Sequence, residues 1–256
     1  MSTSGSIRLI VRGDDFGMCH AVNQGIKRAF TEGIVTMSST MAPCPWFTEA
    51  AEIARDTGIP LGAHQTLTCE WDYLRWRPLT DGPSLVGADG TFRESIELEQ
   101  QHAEHADVVR ELLAQVERFD AAGLSLDYLD HHMGSVLPAA YTEVSEQTGV
   151  PFLYSSRILS QLASFEELSP RDADGKKEWM LAYLRGLAPG VHLLVCHPGV
   201  PSSELESLTG PASVPYRWAA DYRVSDLAVV TDPEIKDIIR ELGITLSSLP
   251  DALATN

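Results

Sequence analysis

The sequence predicts an α/β protein whose strands form a (β/α) barrel of eight strands or fewer. Short apolar segments alternate along the chain with longer amphipathic segments, and turn residues separate them. Strands that alternate with helices in this way form a mainly parallel sheet. The 256 residues contain no serine- and proline-rich linker and no repeat of about 20–50 residues. We therefore expect one domain over residues 1–256, with an open, doubly wound sheet as the alternative architecture.

The first half of the chain is predicted to contain three strands, three helices and one long irregular segment. Val22, Ile26 and Ala29 fall on one face of a helix, and Gly33 ends it. Residues 69–92 are too long for a plain connection, which is typical of functional loops. The strands are predicted at residues 6–12, 34–41 and 59–68, and the helices at residues 22–32, 47–56 and 94–122.

The second half continues the alternation. The segment that ends at Gly190 is expected to be mostly helical. Thr231 and Glu234 have the spacing of a capping box, with an early proline between them, at the start of a helix that runs to Leu242. The other predicted elements are strands at residues 124–129, 151–155, 191–196 and 243–247, a short helix at 141–148 and a long loop at 200–222.

The composition excludes several classes of partner. The formal net charge is −17, from 36 acidic and 19 basic side chains, which disfavours nucleic acids and anionic membranes because both bind clustered Lys and Arg. The N-terminus lacks the pattern of a signal peptide, and no apolar run approaches the roughly 20 residues of a membrane span. The four cysteines form no C-x-x-C pair. We therefore expect a cytoplasmic protein with reduced thiols that acts on a small neutral or cationic molecule.

Acidic and histidine side chains lie within or directly after four predicted strands. Any one of them alone is commonly a turn or capping residue. Because the carboxyl ends of parallel strands meet at one face, we expect these side chains to converge. In chain order they are Asp14, Asp15, His64, Asp130, His131, His132 and His197.

A carboxylate with two imidazoles is a suitable ligand set for a divalent metal ion. Two histidines favour Zn²⁺, Co²⁺ or Ni²⁺, whereas Mg²⁺ prefers oxygen ligands. If one of the adjacent carboxylates Asp14 and Asp15 binds the metal, the other is available as a general base. The alternative is that one of them caps the following helix. The sequence contains no G-x-S-x-G motif, phosphate-binding loop or dinucleotide-binding glycine motif.

Both long loops are rich in aromatic residues. Trp71 and Trp76 lie in the first of these loops. Aromatic rings beside a polar cleft suit the apolar faces of sugars, so we predict that these two residues contact the substrate. The alternative is that the rings pack the loop onto the barrel.

Four of these motifs together resemble those of a known enzyme family. The chain is similar to the YdjC-like carbohydrate deacetylases, which include chitooligosaccharide deacetylases and are related to NodB-type polysaccharide deacetylases. The order and spacing of the motifs agree, and the resemblance covers most of the chain. The motifs are D-D-F-G at residues 14–17, G-A-H at 62–64, D-H-H at 130–132 and H-P at 197–198.

The resemblance implies a distorted barrel of fewer than eight strands and one divalent metal ion, often Mg²⁺, whereas two histidine ligands favour Zn²⁺. By the same resemblance the metal ligands are Asp15, His64 and His132. Asp14 becomes the candidate general base, and His197, as an imidazolium supported by nearby carboxylates, becomes the candidate general acid.

The chain departs from the family motifs at two places. Arg12-Gly13 replaces the usual Asn-Ala, so Arg12 either contacts a substrate carboxylate or pairs with the acidic site. His131 occupies the usual Ser position, and a shift of one residue in the alignment would exchange His131 and His132 as the ligand.

The sequence therefore predicts a metal-dependent hydrolase that removes N-acetyl groups from an acetylated, chitooligosaccharide-like sugar. Two alternatives stay open: another metal-dependent hydrolase such as a phosphoesterase, and a metal-stabilised sugar-binding protein without turnover. The oligomeric state also stays open, and a homodimer is compatible with the sequence.

Overall fold

The computed structural model describes residues 5–210 and 219–254. Its strands are β1 (Ile7–Phe16), β2 (Met37–Thr40), β3 (Leu61–Gln65), β4 (Tyr128–His131), β5 (Leu162–Glu167), β6 (Gly190–Cys196) and β7 (Thr245–Leu246). Its helices are α1 (His20–Thr31), α2 (Phe47–Thr57), α3 (Ile96–His102), α4 (His105–Ala121), α5 (Pro138–Thr148), α6 (Ser156–Leu159), α7 (Lys176–Gly186), α8 (Ser203–Glu206), α9 (Ala219–Val230), α10 (Pro233–Glu241) and α11 (Leu249–Leu253).

The seven strands form one curled parallel sheet in the order β4-β3-β2-β1-β6-β5, with β7 beside the start of β1. The sheet is an incomplete barrel, so the predicted α/β barrel of fewer than eight strands is confirmed. At the gap between β4 and β5 the described chain makes a single bridge, between Leu129 and Phe152. β1 lies at the centre, which explains its buried apolar run: helices cover one face and the curled sheet encloses the other.

Three of the predicted elements are wrong. Residues 94–122 form two helices rather than one, because Ala103 and Glu104 have extended backbone between α3 and α4. The segment before Gly190 contains the edge strand β5, whose residues are only partly buried and therefore lack an apolar run. Residues 151–155 form only the isolated bridge at Phe152 and are followed by α6.

The structure also revises the C-terminal third. In the predicted loop at residues 200–222, α8 occupies one end and α9 begins at the other, and residues 211–218 lie outside the described part. The cap of α10 is Asp232 rather than Thr231, since its side chain accepts a hydrogen bond from the backbone N–H of Glu234. All four cysteines are buried and unpaired, as expected. In the described ranges, no helix combines the length and apolar character needed to cross a bilayer.

A close approach between α1 and the loop after β6 helps to place His197. A Cβ atom at Gly25 would lie 2.5 Å from both Gly199 Cα and Pro198 O. Glycine at this position therefore lets the helix pack directly against the backbone that carries His197.

Candidate active site

A cavity of about 220 Å³ opens at the carboxyl ends of the strands. This is the position that a parallel α/β sheet predicts for a site. Sequence-predicted residues in its lining are Arg12, Asp14, Asp15, His64, His131, His132 and His197. The cavity therefore collects residues from β1, β3, β4 and the loop after β6, which are far apart in the sequence.

An irregularity in β1 brings the two adjacent carboxylates into this cavity. The predicted strand end at Arg12 is wrong, because β1 continues to Phe16. Pairing with β2 shifts register between Gly13 and Phe16, and Asp15 has the left-handed φ of 68°. Neighbouring residues of a regular strand point to opposite faces, so this bulge allows both Asp14 and Asp15 to line one cavity. A non-glycine residue in this conformation costs about 1–3 kcal/mol, and such strain concentrates at functional sites.

Arg12 pairs with the acidic site, which is one of the two roles predicted for it. Its Nε and Nη2 atoms each donate to a different oxygen of Asp14, both at 2.6 Å. Its Nη1 atom lies 2.8 Å from Asp130 Oδ2. The guanidinium thus fixes the orientation of the Asp14 carboxylate through a two-pronged contact.

Asp15, His64 and His132 form a buried group that could hold a metal ion. Asp15 Oδ1 lies 3.4 Å from His64 Nε2 and 3.2 Å from His132 Nδ1. This carboxylate oxygen accepts no well-aligned hydrogen bond from the described residues. His131 also lines the cavity, but its ring lies outside this group and stacks on Tyr154, with centroids 4.1 Å apart. The structure therefore brings His132, and not His131, to the group.

Each member of this group is held by a charged neighbour on its other side. His64 Nδ1 donates to Asp130, and His132 Nε2 donates to Glu70, each at 3.0 Å. Arg223 Nη2 donates to Asp15 Oδ2 at 2.5 Å. These contacts leave His64 Nε2, His132 Nδ1 and Asp15 Oδ1 facing one another. Carboxylates behind metal-binding histidines typically fix the ring orientation and tautomer in this way.

Glu70 and Arg223 are not among the site residues predicted from the sequence. Glu70 lies in the irregular segment predicted to be functional, which was the available signal for it. Arg223 lies on α9, and nothing local in the sequence marks its approach to Asp15, which is 208 positions away.

The electrostatics of the group are dominated by these buried ion pairs. Burial lowers the pKa of His64, but Asp130 and Asp14 outweigh it and raise the pKa to about 10. Burial likewise opposes the charge on His132, but Glu70 and Asp15 raise its pKa to about 9. Without a metal both rings are therefore protonated at pH 7, and a cation bound there would take the place of these protons.

His197 has a different environment and is neutral at pH 7. Burial lowers its pKa to about 4, despite the opposing charges of Asp15 and Asp14. The two carboxylates favour the imidazolium, as predicted, but burial outweighs them in the resting protein. The ring Nδ1 atom lies 2.7 Å from Ser169 Oγ, which in turn donates to Asp226 at 2.5 Å.

Neither predicted tryptophan lines the cavity. Trp71 and Trp76 are 1% and 3% exposed. The Trp76 Nε1 atom donates to the carbonyl of Thr68. Their positions match the packing alternative, because both rings are covered by the loop and the sheet. The large apolar and aromatic side chains that the described residues contribute to the cavity lining are instead Met133, Tyr154, Phe165 and Tyr222.

Comparison with known sequences agrees with this geometry. The sequence profile described as YdjC-like protein matches residues 8–241. The chain belongs to the YdjC-like family. It is 32% identical to a carbohydrate deacetylase of Geobacillus stearothermophilus, over 93% of this chain and 94% of that protein. It is 30% identical to a chitooligosaccharide deacetylase of Yersinia enterocolitica, over 95% and 98% of the two chains.

Solved structures share the fold of this YdjC-like chain. A protein from Enterococcus faecalis V583, provisionally described as a cellobiose-phosphate cleavage protein, has a TM-score of 0.80 at 24% identity, covering 96% of this chain and 98% of its own. A family 4 carbohydrate esterase from Streptomyces lividans has a TM-score of 0.51 at 12% identity, covering 96% and 93%. The sheet therefore has the distorted-barrel architecture of the polysaccharide deacetylases.

Proposed function

We propose that this protein is a metal-dependent hydrolase that removes N-acetyl groups from an acetylated sugar of the chitooligosaccharide type. The buried group Asp15, His64 and His132 beside Asp14 is the observation that carries the proposal. The names of the two YdjC-like relatives, a carbohydrate deacetylase and a chitooligosaccharide deacetylase, support the substrate class. The net charge of −17 also fits a substrate without negative charge.

The ligand set fits one divalent ion, Zn²⁺ or Mg²⁺. Asp15 Oδ1 is a buried carboxylate oxygen without a well-aligned hydrogen bond, and two ring nitrogens face it. An ion bound there would supply Lewis-acid activation of water and of the amide carbonyl. Two imidazoles and one carboxylate are typical of catalytic zinc sites, whereas Mg²⁺ takes mainly oxygen ligands.

Asp14 and His197 carry the proton transfers in this proposal. Asp14 accepts a proton from the attacking water, and Arg12 holds both of its oxygens in place. His197 donates a proton to the leaving amine nitrogen. Ser169 engages Nδ1, so Nε2 is the nitrogen available for this transfer. Because His197 rests neutral, its Nε2 first takes up the proton that Asp14 removed from the attacking water and then gives it to the amine nitrogen. One proton thus moves from water to the leaving amine.

The cavity is less suited to a phosphoester. Phosphate recognition uses arginine and lysine side chains whose donors are available to the anion. Of the described residues, the two arginines in the cavity lining, Arg12 and Arg223, already bind the carboxylates Asp14 and Asp15. A phosphoesterase would have to break one of these buried pairs.

Acetate release tests the proposal directly. Chelator-treated protein is assayed on N-acetylglucosamine oligosaccharides with Mg²⁺, Zn²⁺, Mn²⁺ or Co²⁺ restored singly. We expect metal-dependent acetate release. Asp14→Asn and His197→Ala should each lose about 10²–10⁴-fold in rate and still bind the metal, as measured by calorimetry.

His64→Ala and His132→Ala are the matched controls, and each should lose both metal binding and activity. Full activity in Asp14→Asn would refute its assignment as the base. No acetate release with any metal, despite metal bound through His64 and His132, would refute the deacetylase proposal and leave a sugar-binding protein or another hydrolase.

A further inference from the structure

Aromatic side chains, rather than strands, fill the gap between β4 and β5. The rings of His131 and Tyr154 are stacked in parallel, 4.1 Å apart with an interplanar angle of 7°. Tyr154 in turn contacts Phe165 of β5, with ring centroids 5.9 Å apart. The Tyr154 hydroxyl lies 3.4 Å from Arg12 Nη2. These contacts hold the Tyr154 ring at the edge of the cavity.

Two large apolar side chains beside this stack remain open to solvent. Phe165 is 39% exposed and Met133 is 37% exposed, and both line the cavity. Met133 has the left-handed φ of 59°, a conformation that costs a side chain about 1–3 kcal/mol. Folding alone favours neither the exposure nor this conformation, so a ligand that covers the two side chains would explain both.

We propose that Met133, Tyr154 and Phe165, here called the apolar wall, bind one face of a sugar ring. This ring is the one that bears the acetamido group. The inference rests on the proposed function and deepens it, because it assigns the substrate-contacting surface. A pyranose ring presents C–H groups on its faces and hydroxyls around its edge. Aromatic and thioether side chains match such a face, as few polar groups are left unpaired by the contact.

A polar group beside the apolar wall can bind the hydroxyls at the edge of the same sugar ring. Glu167 is two residues beyond Phe165 on β5, so both side chains point to the same face of the strand, and both line the cavity. Its carboxyl group can hydrogen-bond sugar hydroxyls. The cavity volume of about 220 Å³ is below the roughly 300–1,000 Å³ typical of drug-sized ligand pockets. It therefore suits one sugar ring, with the rest of an oligosaccharide outside.

Substitution of Phe165 tests the apolar wall. In Phe165→Ala we expect kcat/KM for N-acetylglucosamine oligosaccharides to fall about tenfold, mainly through KM, because the contact is made equally in the ground state and the transition state. The N-acetyl derivative of a small acyclic amine should react at an unchanged rate. Phe165→Leu keeps apolar volume without the ring and should lose sugar affinity while retaining the wild-type melting temperature.

Tyr73→Ala is the matched control, since Tyr73 is an aromatic residue that is 87% exposed and lies outside the cavity lining. Its kinetics should equal those of the wild type. Equal losses on the sugar and the acyclic substrate in Phe165→Ala would overturn the apolar wall as a sugar site.

A binding measurement separates this inference from the proposed function. Titration calorimetry with N-acetylglucosamine oligosaccharides is carried out on wild type and Phe165→Leu. Weaker binding in the variant supports the apolar wall even if the wild type releases no acetate, in which case only the deacetylase proposal fails. Equal binding in both proteins, or none in either, overturns the apolar wall.

Discussion

The hydroxyl of Ser169 lies between the ring of His197 and the carboxylate of Asp226. Asp226 also accepts from the backbone N–H of His197 and from Lys176, whose side chain is fully buried. Because Ser169 gives its proton to the carboxylate, its oxygen accepts from His197 Nδ1–H. A histidine held in this way has a fixed tautomer, and its charged form is stabilised through the serine.

Ser169→Ala should therefore disturb the orientation and tautomer of His197, although Ser169 itself does not contact the substrate. We expect kcat to fall roughly tenfold to a hundredfold, with KM nearly unchanged, because the ring loses its orientation and its acceptor. Nitrogen NMR of His197 should show a mixture of tautomers in the variant.

Ser169→Thr keeps the hydroxyl and should restore most of the activity and the single tautomer. A purely structural role would lower the melting temperature and leave the His197 tautomer as in the wild type. That outcome, or full activity in Ser169→Ala, would contradict the positioning role.

At the scale of residues, the sequence indicates those site residues whose convergence is determined by the strand topology alone. Asp14, Asp15 and His64 lie on strands and His132 directly follows β4, and parallel strands bring their ends together. No comparable rule predicts which residues of loops and helices reach the site. Ser169 and Arg223 reach the site only through the packing of their segments. Trp71 and Trp76 lie buried outside the cavity lining, which the sequence could not show. A sequence pattern does not distinguish an aromatic ring on a cavity wall from one packed beneath a loop.

At the scale of elements, α4 fixes the long segment that carries Glu70. Glu111 on this helix is buried and accepts hydrogen bonds from the backbone N–H groups of Leu79 and Thr80 and from the Thr80 hydroxyl. Near the start of the helix, Asp107 accepts from Ser84 in the same way. The carboxylates of Glu111 and Asp107 thus hold this loop, which contains no strand, in a defined conformation against α4.

Glu111→Gln should loosen this loop. We expect the free energy of unfolding to fall by about 2 kcal/mol, because an amide NH₂ replaces one carboxylate oxygen and leaves buried donors without an acceptor. Tryptic cleavage after Arg75 should become faster. Urea unfolding and timed proteolysis measure the two effects.

Glu117→Gln on the same helix is the control, since Glu117 is exposed and should change neither quantity. Unchanged proteolysis in Glu111→Gln would show that other contacts, such as those of Arg75 with the carbonyls of Cys69 and Phe92, suffice to hold the loop.

The elements that the sequence predicts best are those whose environment is uniform. β6 is covered on both faces, so its apolar run is unmistakable. Among the described strands β5 lies at an edge and pairs with β6 alone. It has no buried residue, so its pattern resembles that of a surface helix. The break between α3 and α4 falls in a polar stretch that contains neither Gly nor Pro. Sequence periodicity is weakest where tertiary contacts decide the backbone.

At the scale of the whole molecule, acidic groups oppose folding as the pH rises. The chain carries a net charge of −17 at pH 7, and each further ionised carboxylate adds to this repulsion. Glu167 is one such group inside the cavity. Burial, together with the charges of Asp14 and Asp226, raises its pKa to about 7, from 4.5 in an unfolded chain.

The sign of the resulting pH dependence follows from linkage. The folded protein holds the Glu167 proton more tightly than the unfolded chain does, so the neutral carboxyl favours the fold. This contribution is complete below pH 4.5 and is lost as the pH rises through about 7. In metal-free protein, the melting temperature of the wild type should therefore decline more between pH 5 and pH 8 than that of Glu167→Gln, which cannot ionise. Glu146→Gln, on an exposed position of α5, should follow the wild-type curve. Parallel curves for Glu167→Gln and the wild type would mean that Glu167 ionises as freely in the cavity as in water, and that the pH dependence arises from the overall charge alone.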